Sequence, residues 1–267
     1  MTQPIKRREL LTGLGIGTLL TLSLPDREAR ASDDADLWKY AAIDPQKAAD
    51  LAYEIYPGGA CMYAAVRAIL VTVADAVDPL TASMMRGFPF HIMKYGHGGI
   101  GATGSTCGAF NGGAAVIGLF VNDATKRDAM IQELAAYYER TELPEYRPKD
   151  DKFSAMPTVV PGSLLCHVSS SRWRTAADAV ADTKMFSSKR ADRCRRLTAD
   201  VVIKTVELLN RYHTDKTCTF TLLVQPTATC YDCHGPKGTQ ADIIGTANCT
   251  TCHQHDDSHS NKHINKK

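Results

Sequence analysis

A surplus of either charge is missing from this 267-residue chain: 31 Lys and Arg stand against 29 Asp and Glu. The basic N-terminus supplies much of the small positive balance, and the remainder is near neutral. A nucleic-acid binder would carry a basic footprint, so that class is excluded. Long hydrophobic runs are also scarce. The apolar stretch from Leu10 to Leu24 is short and interrupted by Gly, which argues against a lasting membrane span. Strand-like alternation is thin, with "CTFTLLVQ" (218–225) the one candidate for a short extended segment. Large apolar side chains nearly vanish after Gln225, where Tyr231, Ile243, Ile244 and Ile264 are almost all that remain. Such a tail cannot bury enough apolar surface to offset its chain entropy. It is either disordered or organised around something that is not side chain.

What the tail does have is four Cys and five His. Cys230, Cys233, Cys249 and Cys252 form two Cys-x-x-Cys pairs, and each pair is followed by His, at His234 and His253. The spacing falls in the range of a four-thiolate zinc site, but such a site has no need of the two histidines. Covalent haem attachment requires both features. The thiols bond the porphyrin, and the adjacent His binds the iron as proximal ligand. Two c-type haems are therefore the preferred reading, with a zinc-stabilised binding module as the rival. Distal iron ligands are sought among His255, His259 and His263 in the tail, and among His97, His91 and His213 upstream. With the proximal residues so near in sequence, the haems lie close together. Each is left partly exposed unless a second chain covers it, which suggests a homodimer.

The N-terminus agrees with haem attachment outside the cytoplasm. Arg7-Arg8 precede Leu10-Leu11 and a weak apolar run, and a small-x-small site lies at Ala29-Arg30-Ala31. Residues 1–31 read as a twin-arginine export signal cleaved after Ala31, or as an ordinary secretory signal that happens to hold two arginines. The first reading sends a folded protein to the periplasm, commonly with a metal centre already inserted.

Residues 32–220 read as mainly helical, with the dihaem segment following at 221–267. Asp44-Pro45 opens a helix that stops at Pro57-Gly58-Gly59. Residues 60–77 are apolar on most sides and read as a buried helix, ended by Asp78-Pro79. Residues 95–113 are a Gly-rich loop continued by the apolar "AAVIGLF". A helix over 123–140 has Asp123 as its cap, 142–163 is a Pro-bearing connection, and 189–213 is a long helix. The literal G-x-G-x-x-G at 99–104 carries no nucleotide site. No strand precedes it, and no acidic residue follows at the expected distance.

Five cysteines belong to the helical part: Cys61, Cys107, Cys166, Cys194 and Cys218. Cys107 precedes an apolar helix whose N-terminus stabilises a thiolate, and Cys194 stands among Arg190, Arg193, Arg195 and Arg196. Four thiolates suit an iron–sulfur cluster. Small buried residues, or disulfides, are the other readings.

The order Cys61, "GSTCGAFNGG" with Cys107, Cys166, Cys194 resembles the Cys–GCAxxG–Cys–Cys redox protein family. With the two tail motifs added, the mature chain from about residue 38 onward is similar to the split-Soret cytochromes c. The box here runs Cys107-Gly108-Ala109-Phe110-Asn111-Gly112, its first two letters inverted relative to the family label. The resemblance implies a largely helical fold and a homodimer with two closely stacked haems per chain. Histidines given across the dimer would be the sixth haem ligands. It further implies an iron–sulfur cluster, of the [2Fe–2S] type, held by Cys61, Cys107, Cys166 and Cys194, with Cys218 spare. The function expected is periplasmic electron transfer without substrate chemistry at iron. The alternative is a reductase with an open iron site.

Overall fold

The computed structural model describes residues 38–153, 155–177, 183–215, 217–220, 234–235 and 237–239. Seven α-helices run through them in the order α1 Pro45–Ile55, α2 Ala60–Ala74, α3 Pro79–Arg86, α4 Gly108–Phe120, α5 Ala124–Arg140, α6 Cys166–Ala176 and α7 Thr183–Thr214. Short 3-10 turns occupy Tyr56–Gly58 and Phe90–Gly96. Among the described residues there are two isolated antiparallel bridges, Thr106 with Leu165 and Leu143 with Val159, and no strand. The fold is mainly helical, as the sequence predicts. The proposed extended segment at 218–225 is not strand over 218–220, and its remainder lies outside the described residues.

Helix α2 is the centre of the bundle. Its sequence is apolar on nearly every side, with Arg67 its one exposed residue, and it packs against α1, α3, α4 and α7. Ala64, Ala65, Ala68, Ile69, Leu70 and Val73 are all buried. Helix α7 brings Leu197, Val201, Val202 and Leu209 to the same core. Buried threonines on these helices satisfy their hydroxyls locally: Thr72 donates to the Ala68 carbonyl, Thr198 to that of Cys194 and Thr205 to that of Val201.

Helix starts follow their caps. The Asp44 carboxylate accepts from the Gln46 N–H at 2.8 Å, with Pro45 at the first helical position. Asp123 accepts from the Lys126 N–H at 3.0 Å. Asp78-Pro79 corrects an expectation. The dipeptide does not end a helix. It opens α3, with Asp78 accepting from the Thr81 N–H and hydroxyl, and α2 has already stopped at Ala74. Helix α4 begins at Gly108, inside the stretch read as loop, and α7 begins at Thr183.

The Gly-rich segment has an unusual hand. Gly98, Gly99, Ile100, Gly101 and Ala102 all take φ between 50° and 71°. Five consecutive residues thus form a left-handed turn, closed by Ala102 N–H to His97 O and Gly104 N–H to Gly98 O, both at 3.0 Å.

Candidate iron centre among the helix N-termini

Three of the helical-part cysteines stand at helix starts. Cys61 is the second residue of α2, Cys107 is the N-cap of α4, and Cys166 is the first residue of α6. The positive ends of three helix dipoles therefore meet thiols. Cys194 comes from within α7. The Cys107 and Cys166 positions are set by a short antiparallel bridge. The Cys107 N–H donates to Leu164 O at 2.8 Å, and the Cys166 N–H donates to Ser105 O at 2.7 Å. Helix α4 comes close to α2 because Gly108 and Gly112 carry no side chain. A Cβ on Gly108 would lie 2.1 Å from the Gly96 carbonyl oxygen, and one on Gly112 would lie 2.9 Å from the Ala65 Cβ.

The four thiols lie within electrostatic reach of one another. Cys61 feels Cys107, Cys194 and Cys166, while Cys166 feels Cys107 and Cys194. Burial raises the Cys61 and Cys107 thiols, and it pushes Cys166 up to about 12, with the neighbouring thiols adding to the effect. Among the described residues no three His, Cys, Asp or Glu side chains converge tightly enough to hold one metal ion. All five cysteines are free thiols, so the disulfide reading of this region is set aside.

Polar groups ring the thiols. The Tyr56 hydroxyl and the Cys61 sulfur are 3.5 Å apart. The Tyr138 hydroxyl lies beside Cys107 and donates its proton to Ser169 Oγ at 3.1 Å. Arg193 is 2% exposed, donates from Nη2 to Ser169 Oγ at 2.7 Å and hydrogen-bonds Cys194. Its Nε has no partner. A buried cation with an orphaned N–H, three helix N-termini and four soft donors make a site that fits an anionic, thiolate-bound iron centre.

Cys218 stands elsewhere, beside Tyr212, with its carbonyl 3.5 Å from Lys126 Nζ. His97 and His91 are exposed, and His97 Nδ1 contacts the Lys94 carbonyl at 3.0 Å. His213 stacks on Tyr40 with centroids 4.6 Å apart. His167 Nδ1 contacts the Gly104 carbonyl at 2.9 Å, tying α6 to the loop. Of the haem-motif residues only His234 is described, and it is half-buried. Cys230, Cys233, Cys249, Cys252, His253, His255, His259 and His263 lie outside the described residues, as does the export signal. The sequence reading missed Tyr56, Tyr138 and Ser169, which sit in ordinary helical or turn contexts with no motif around them. No helix among the described residues is long and apolar enough to cross a membrane.

Comparisons with known proteins converge. A family model for redox-active proteins with the pattern C_GCAxxG_C_C matches residues 63–208, a span that takes in Cys107, Cys166 and Cys194 and starts just after Cys61. The chain is 32% identical to the split-Soret cytochrome c of Desulfovibrio desulfuricans over 285 residues, covering 98% of this chain and 99% of that protein. A solved structure of the split-Soret cytochrome c from that species, described as having a novel iron centre, matches with a TM-score of 0.73 and 30% identity. The match covers 86% of this chain and 95% of that one.

Proposed function

The chain belongs to the Cys–GCAxxG–Cys–Cys redox family and to the split-Soret cytochromes c within it. From that premise we propose a periplasmic electron carrier with two covalent haems and one thiolate-bound iron centre per chain. Cys230 and Cys233 would attach one haem and Cys249 and Cys252 the other, with His234 and His253 as proximal iron ligands. Distal histidines would come from His255, His259, His263 or His97, given across a homodimer. Cys61, Cys107, Cys166 and Cys194 would hold the iron centre, proposed as a [2Fe–2S] cluster. These groups, when bound, supply one-electron redox chemistry.

The carrying observation is that thiols from α2, α4, α6 and α7 come within electrostatic reach of one another, three of them also within reach of the buried Arg193 guanidinium. The chain's own contribution is electrostatic. Three helix N-termini and Arg193 favour negative charge at the thiols, and Tyr56 and Arg193 place hydrogen-bond donors at two of the four sulfurs. The apolar body of α2 keeps water from the Cys61 side.

An absorption spectrum with metal analysis of the exported protein tests this reading. Sharp reduced α and β bands are expected at two haems per chain, resistant to acid-acetone, with iron in excess of haem. Rapid stoichiometric carbon monoxide binding after reduction would replace the carrier with a reductase that has an open iron. A colourless protein would leave the tail motifs to zinc, and the electron-transfer role would be withdrawn.

A further inference from the structure

Two arginines of α7, one helical turn apart, are both fully buried, and their surroundings differ. Arg196 is paired twice over: its Nε donates to Asp192 at 2.7 Å, and its other nitrogens bond Asp151. Arg193 has no carboxylate partner among the described residues. Its contacts are the Ser169 hydroxyl and Cys194, and its nearest potential anions are Cys194, Tyr138 and Cys107. Burying an unpaired charge costs several kcal/mol, so a lone buried guanidinium is retained only where a counter-charge arrives. Neutral thiols do not provide one. Iron does, indirectly, because each thiol it binds gives up its proton and becomes an anion.

We propose that Arg193 is the fixed counter-charge of the iron centre, holding its reduction potential up and making retention of the centre depend on that positive charge. The inference rests on the reading that Cys61, Cys107, Cys166 and Cys194 bind iron. One-electron reduction adds one negative charge to the centre and makes or breaks no protein bond. A guanidinium fixed beside it, in a poorly screening interior, stabilises the reduced state more than the oxidised one. Ser169 is the positioning residue. It accepts from both Arg193 and Tyr138, and so aims the guanidinium at the Cys107 and Cys194 side of the site.

The test uses the full exported holoprotein with Arg193→Met, Arg193→Gln and Arg193→Lys. Dithionite serves as reductant in a potentiometric titration followed by electron paramagnetic resonance, and the haem bands serve as an internal control. The neutral variants are expected to shift the reduced-to-oxidised ratio of the iron centre at least tenfold toward oxidised. For one electron that is about 59 mV lower. Arg193→Lys restores most of the shift, and the haem potentials stay put. After chelation of the non-haem iron, the neutral variants unfold at no lower temperature than the equally stripped wild type, because they no longer bury a lone charge. Loss of the centre in the neutral variants with retention in Arg193→Lys also supports the proposal. An unmoved potential, equal loss in all three variants, or neutral variants that fail to fold without iron would each overturn it. A wild type whose thiols hold no iron would overturn the underlying reading as well, which separates the two failures.

Discussion

Asp200 on α7 shows how a single carboxyl can set a pH dependence. It is 2% exposed and accepts backbone N–H groups from Glu145 at 3.1 Å and Tyr146 at 2.7 Å. Those bonds favour the ionised form, but burial opposes it more strongly and pushes the group up to about 7. The folded protein thus holds a proton that the unfolded chain has already lost above about 3.8. The stabilisation is whole below that value and is lost as pH rises through about 7. Its slope is about 1.4 kcal/mol per pH unit for a single proton. Asp200→Asn removes the slope. Its amide can accept only one of the two N–H groups, which costs about 1–3 kcal/mol at acid pH. Thermal midpoints at pH 5 and pH 8 check this. The variant should be clearly less stable at pH 5, with the gap narrowing by pH 8. Parallel curves would place the titration elsewhere.

At the scale of elements, the proposed iron site depends on how closely α4 approaches its neighbours. Gly108→Ala puts a methyl group into the Gly96 carbonyl and should destabilise by at least about 2 kcal/mol. It should also reduce non-haem iron while leaving covalent haem intact. Gly118 lies on the same helix with nothing within 4 Å of its would-be Cβ, so Gly118→Ala should stabilise by up to about 1 kcal/mol. Iron-to-haem ratios and melting curves of the two variants distinguish a packing requirement at residue 108 from a general dislike of alanine in α4. The elements also explain what the sequence made legible. The haem motifs could be read because covalent attachment and iron ligation need neighbouring residues. The four thiols could not be joined by spacing, since four separate helices bring them together; only the family pattern connected them. Helix α6 went unread because "CHVSSSRWRTA" offers just Ser169 and Trp173 to the interior, too little for a periodic stripe. Helix α3 went unread because an Asp-Pro pair can cap a following helix as well as stop a preceding one. The cationic setting of Cys194 was visible in the Arg-rich run, but nothing there showed that Arg193 would be buried without a carboxylate.

On the scale of the whole molecule, the two kinds of iron proposed for it would impose an order of assembly. On the proposed reading, a cluster inserted in the cytoplasm and haems attached outside it would require export of a chain that is already folded. Arg7→Lys with Arg8→Lys should therefore stop export. The trapped protein should contain thiolate-bound iron and no covalent haem, as read by fractionation and haem staining. Full haem attachment in the double variant would identify the leader as an ordinary secretory signal.

The left-handed turn at residues 98–102 bears on chirality itself. Three of its positions are glycine, which has no hand, but Ile100 and Ala102 are L-residues held where mirror-image amino acids would be at ease. Each costs roughly 1–2 kcal/mol in that conformation. A semisynthetic chain with D-alanine at 102 would relieve that cost and keep the backbone path that leads into Cys107. The natural protein thus keeps a loop whose preferred building blocks the ribosome does not supply, immediately before one of the thiols on which its proposed iron chemistry depends.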